Sequence, residues 1–111
     1  MKEKIIITEE GETLRVRILG EIDHHSSVAL RSQIDSRLFN IRPKVLKLDF
    51  SSVNFMDSSG IGLIIGRVER SRSLGACVSL VGLSKSLYKL ICLAGLLKID
   101  GLSVTVGREN K

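Results

Sequence analysis

Two adjacent hydroxyls, Ser58 and Ser59, stand between an aspartate and a glycine in the run Phe55-Met56-Asp57-Ser58-Ser59-Gly60, a place suited to carrying a chemical group. Asp and Ser are favoured helix caps, so taken alone the run reads as a helix start in which Asp57 and Ser59 shape and cap the loop. The same place suits a phosphoserine. A charge of roughly −1.5 to −2 on either hydroxyl, Ser58 or Ser59, would meet the unpaired N–H groups and positive dipole end of the helix. Hydrolytic chemistry fails, because a G-x-S-x-G elbow would need a glycine where Met56 stands, and the only histidines, His24 and His25, are chain neighbours that point in different directions. With no Cys or acidic cluster beside those histidines, no metal site is expected. Asp23-His24-His25-Ser26 reads instead as another helix start, capped by Asp23 or Ser26. Gly60, Gly62 and Gly66 raise a dinucleotide fingerprint, but G-I-G-L-I-I-G is one residue too long and no acidic residue ends the next strand. Glycines four apart on an apolar helix predict a helix lying close against a sheet.

The hydrophobic pattern supplies the scaffold for these residues. Ile5 to Ile7, and then Leu14, Val16 and Ile18 alternating with Arg15 and Arg17, predict two strands joined as a hairpin through Glu10-Gly11-Glu12. From Ser26 onward Leu30, Ile34, Leu38 and Ile41 recur at helical spacing, with Arg31, Gln33, Asp35 and Arg37 on other faces, until Pro43 stops the pattern. Val45 to Phe50 reads as a strand running into a loop at Ser51 to Asp57. Ile61, Ile64, Ile65 and Val68 predict a second helix, with Arg67, Glu69 and Arg70 off the apolar stripe and Gly75 as its C-terminal cap. Ala76 to Val81 reads as a strand buried between helices, Leu87, Leu90, Ile91 and Ala94 as a third helix before Gly95, and Val104 and Val106 as a short last strand. This order predicts one α/β domain over residues 1–111. Its single mixed sheet has four to five strands, an antiparallel N-terminal hairpin and right-handed crossover helices. Loops at one end of such a sheet gather together, which puts Asp23 and His24 at the rim of the surface that holds Ser58.

Charge and composition exclude other classes. Lys and Arg outnumber Asp and Glu by 17 to 12 in the 111 residues, but they are spread along the chain, and only three Phe and one Tyr are available to stack on bases, so nucleic-acid binding is not expected. No apolar run reaches the length of a signal-peptide core or a bilayer span, which predicts a soluble cytoplasmic protein. Cys77 and Cys92 lie in apolar runs and are expected to pack in the core.

Gly20-Glu21-Ile22-Asp23-His24-His25 together with Phe55-Met56-Asp57-Ser58-Ser59-Gly60-Ile61-Gly62 resembles the anti-sigma factor antagonists of spore-forming bacteria, members of the STAS family. The likeness runs on through Gly95-Leu96-Leu97-Lys98-Ile99, and the paired histidines and the Gly66-Arg67 step are similar to those of the sporulation antagonists. The resemblance implies a STAS fold and a partner-switching cycle. In that cycle a nucleotide-bound anti-sigma factor, itself a serine kinase, is captured by the unphosphorylated protein, which frees the sigma factor, and phosphorylates the first serine of D-S-S-G, here Ser58. A separate serine phosphatase restores the active form. It implies a monomer that is not an enzyme and needs no cofactor. The partner surface would comprise Asp23, His24, Asp57, Ser59, Gly60, Ile61 and Gly62, with Gly60 and Gly62 allowing close backbone approach. The alternative within the family is an interaction module of a stress-signalling scaffold or a lipid-transport complex. Relatives commonly end in an amphipathic helix, for which Gly107 to Lys111 is too short and polar, so that helix is expected to be absent.

Overall fold

In the computed structural model, which describes residues 4–106, the chain runs β1 (Ile5–Glu10), β2 (Thr13–Ile22), α1 (His24–Ile41), β3 (Val45–Met56), α2 (Ser58–Ser73), β4 (Cys77–Leu83), α3 (Lys85–Leu93), a 3-10 turn (Leu96–Lys98) and β5 (Leu102–Val106). The expected absence of a terminal helix concerns residues 107–111 and lies outside the described residues. The five strands form one mixed sheet in the order β1-β2-β3-β4-β5, antiparallel at the hairpin and parallel thereafter.

The register explains the core. Leu14, Leu46, Val78 and Leu102 form one row across the sheet, and Ile7, Val16, Leu48, Leu80 and Val104 form the next. Successive strand residues point to opposite faces, so these rows give one continuous apolar face. Leu30, Ile34 and Leu38 of α1, Leu63, Ile64 and Val68 of α2, and Leu87 and Ile91 of α3 close over that face in a single buried cluster. Each fully buried Leu or Ile contributes on the order of 2 kcal/mol. The other face carries Arg15, Arg17, Lys47 and Ser79, none of them buried. Among the described residues the buried charge on this face is Asp49, matched by Arg15 at 2.9 Å and by the Ser51 backbone N–H at 2.9 Å.

Several elements depart from the sequence expectation, each for a tertiary reason. The loop expected at Ser51 to Asp57 is strand up to Met56, because β2 continues past a register shift and pairs Leu19–Ile22 with Ser52–Met56. The β3–β4 pairing ends at Asp49, so Ser51 and Asn54 reach solvent although they are in a strand. Of the two caps open for the first helix, Asp23 is the one used, and the helix starts at His24 as expected for that choice. β4 is covered on one face at its start, where exposed Cys77 and half-buried Ser79 flank buried Val78, and is not sandwiched between helices. Cys77 is accordingly exposed and Cys92 only half-buried. Gly75 does end α2. It holds φ +82° while its N–H bonds to the Arg72 carbonyl and the Ala76 N–H to that of Ser71, a Schellman closure.

Candidate functional site

The last paired residues of β2 and β3 are Ile22 and Met56, and the Asp57 N–H donates to the Ile22 carbonyl at 3.1 Å beyond them. Both strands therefore release their chains at one end of the sheet, where Asp23 caps α1 and Asp57 caps α2. Asp23 Oδ1 accepts from the Ser26 N–H at 2.9 Å, and Ser26 Oγ accepts from the Asp23 N–H at 3.0 Å, which makes a reciprocal capping box. That Ser26 backbone bond, working against a smaller burial effect, holds the Asp23 carboxyl below its ordinary value. Asp57 Oδ1 accepts from the Ser59 N–H at 2.8 Å.

Ser58 is the first residue of α2 and is exposed. A group added to its oxygen would sit in solvent at the positive ends of two helices that start side by side. Ser59 is half-buried, and its side chain faces a cleft between α1 and α2. His24 is exposed at the mouth of the same cleft, so the structure brings Asp23, His24, Asp57, Ser58 and Ser59 to one surface. Gly62 is exposed one turn further along α2, and Ile61 is half-buried against the core. Gly60 differs from the expectation. It is buried, and a Cβ there would overlap Cγ and Sδ of Met56, so its missing side chain serves packing of α2 against the end of β3.

Sequence reading missed the cleft wall. On α1 the lining residues are His24, Ser27, Val28 and Arg31, spaced i, i+3, i+4, i+7. On α2 they continue from Ser59 through Gly62 and Leu63 to Gly66 and Arg67 at the same spacing. Two such stripes on helices with adjacent N-termini are the signal that finds them. Gly62 and Gly66 open onto this cleft and not onto the sheet, since a Cβ at either would meet nothing within 4 Å. Arg67, expected off the apolar stripe, is nonetheless 3% exposed and crosses the seam between the helices. Its Nη2 donates to Asp35 Oδ2 at 3.1 Å, and its Nε stands 2.7 Å from Asp35 Oδ1 as an ionic contact without hydrogen-bond alignment. Burial pushes the guanidinium below its ordinary value, and Asp35 opposes that shift. This ion pair, with one charge-assisted hydrogen bond, fixes α1 against α2 and so fixes the two helix starts.

Among the described residues no group of three or more His, Cys, Asp or Glu is placed to hold a metal ion, and no helix is long and apolar enough to cross a membrane. Residues 4–108 match the STAS domain family model. An anti-sigma F factor antagonist of Paenibacillus polymyxa is 34% identical over 86 residues, covering 78% of this chain and 74% of the relative. The solved structure of the anti-sigma factor antagonist SpoIIAA in its unphosphorylated form superposes with a TM-score of 0.76 at 26% identity, covering 91% of this chain and 87% of that one. The phosphorylated form of SpoIIAA, the Bacillus cell fate determinant, superposes with a TM-score of 0.69 at 26% identity, covering 91% and 90%.

Proposed function

This chain belongs to the STAS domain family, with anti-sigma factor antagonists among its relatives, and on that premise we propose that it is itself such an antagonist, switched by phosphorylation of Ser58. The observation that carries the reading is the exposed Ser58 hydroxyl at the start of α2, beside the capped start of α1. SpoIIAA, with the same fold, has been solved in phosphorylated and unphosphorylated forms, which supports a phosphate-controlled state here.

In this reading the unphosphorylated protein binds a nucleotide-bound anti-sigma factor kinase through the surface around Ser58, and the sigma factor is released. The Ser58 Oγ then attacks the terminal phosphorus of the bound ATP, the bond to the β-phosphate oxygen breaks, ADP leaves, and the hydroxyl proton is lost. The product's own helix starts accept the new charge. The partner does not accept it, because a dianion placed inside the interface beside Asp57 and the nucleotide phosphates must be desolvated without a counter-charge. About 3 kcal/mol of such penalty weakens the complex more than a hundredfold, so the switch needs no refolding. A serine phosphatase resets it. The protein acts by binding and not by catalysis, in the cytoplasm where sigma factors work, and Asp23, His24, Ser59 and Gly62 belong to its contact surface.

The test is a kinase and capture assay with an anti-sigma factor kinase and ATP on wild type, Ser58→Ala, Ser59→Ala and Ser58→Asp. Mass spectrometry should locate the phosphate on Ser58. Ser58→Ala should lose labelling yet keep capture, and Ser58→Asp should lose capture. Phosphate found on Ser59 alone, or equal capture of the phosphorylated protein, would overturn the reading.

A further inference from the structure

The cleft between α1 and α2 has a volume of about 380 Å³ and begins at Ser59 and His24, continuous with the phosphoacceptor surface. Its floor is apolar, at buried Leu63, and on its α1 wall Val28 is 56% exposed. Its lining includes Arg31, Arg67 and His24 and no carboxylate. Arg67 is already matched by Asp35, which leaves exposed Arg31 and the imidazole of His24 facing the opening without an acidic residue in the lining to answer them. A cavity of this character is complementary to a segment with an apolar side chain and a carboxylate.

The glycines of its α2 wall point the same way. Glycine inside a helix lowers helix stability relative to alanine. Neither Gly62 nor Gly66 has the positive φ that would require it, and among the described residues no atom outside the local helix backbone would crowd a Cβ at either, in contrast to Gly60. The missing side chains therefore deepen the cleft and satisfy no need within the described fold.

We propose that the cleft receives an acidic, partly apolar segment of the anti-sigma factor kinase, with an apolar side chain seated between Val28 and Gly66 and a carboxylate held by Arg31. The capture surface then extends about 10 Å along α2 from Ser59 to Gly66, at a rise of about 1.5 Å per residue. This rests on the kinase-capture reading given above and adds to it a second contact region away from the phosphorylated hydroxyl.

The experiment measures the affinity of the unphosphorylated chain for a purified anti-sigma factor kinase with bound nucleotide, for wild type, Gly66→Ala, Gly66→Leu and Arg31→Glu, alongside Tm. Gly66→Ala should raise Tm by about 4 °C, as expected for a helix glycine with no packing role. Gly66→Leu should keep the fold by circular dichroism and weaken capture at least tenfold. Arg31→Glu should weaken capture about tenfold and flatten its dependence on salt. Capture within twofold of wild type for both Gly66→Leu and Arg31→Glu, with Ser58→Asp still abolishing it, overturns the cleft proposal and leaves the phosphorylation switch standing. Absence of capture by the wild-type protein overturns both.

Discussion

Replacing Asp35 with alanine would strand the Arg67 guanidinium, whose side chain is 4% exposed, between two helices with Arg31 and Arg70 as its charged neighbours. Replacing Arg67 with methionine removes the charge that is hard to hydrate. It leaves Asp35, which is 21% exposed and 4.0 Å from Arg70, able to recover water and a weaker partner. The two substitutions break one ion pair but should differ widely in effect. Stranding a buried charge costs about 3–5 kcal/mol, whereas an apolar replacement of similar volume is often close to neutral. We expect about 4 kcal/mol lost for Asp35→Ala and about 1–2 kcal/mol for Arg67→Met, against a total stability on the order of 10 kcal/mol for a domain of this size. The double variant should resemble Arg67→Met, giving a coupling of about 4 kcal/mol in the thermodynamic cycle, because once the charge is gone Asp35 has little left to neutralise. Urea unfolding followed by circular dichroism reads this directly. The Asp35→Ala midpoint should fall by about 2 M, given slopes of about 1–3 kcal/mol per M, while the double variant regains most of it. Equal losses for the two single variants, or strict additivity in the double, would show that the pair lies in a well-hydrated seam and that the burial argument is wrong.

Two further outcomes follow from the same packing. Burial disfavours the Asp49 carboxylate, but hydrogen bonds from Ser51 and the Arg15 guanidinium outweigh it and hold the group below its ordinary value. With the folded value depressed, the stabilisation is fully present above the ordinary carboxylate range, near pH 4, and is lost as pH falls through the lower folded value. Asp49→Asn should flatten that part of the acid unfolding curve, and an unchanged acid limb would show that other carboxylates control it. Gly60→Ala should destabilise by about 1 kcal/mol, since overlap with Met56 costs about 1–3 kcal/mol and the helix gains about 1 kcal/mol. In a Met56→Ala background, which lacks both Cγ and Sδ, Gly60→Ala should no longer destabilise, and stabilisation by Gly60→Ala in the wild-type background would contradict the packing.

The caps were readable because they depend on neighbours within three residues. Asp23 and Asp57 each accept from a backbone N–H two or three positions on, and Gly75 closes α2 through its own local bonds. Strand and helix types followed from period, and the D-S-S-G run with its exposed serine could be placed at a helix start from the sequence alone. The errors lie where a residue's surroundings come from far along the chain. Arg67 falls off the apolar stripe and its burial is hidden, because a wheel of α2 contains no Asp35, which stands 32 residues away on another helix. Ser51 to Asp57 looked like loop because nothing local announces that β2 is long enough to pair with Ser52 to Met56.

Which residues are apolar, where the turns fall and which side chain caps each helix are written in short-range pattern. Loop geometry and hydrogen bonding over a few residues decide them. The charge buried in the α1–α2 seam, the depth of the cleft beside Ser59 and the inward duty of Gly60 were settled only when successive parallel crossovers laid two helices together on one face of the sheet. Their energies depend on which distant surface excludes water, and that surface does not exist until the chain is folded.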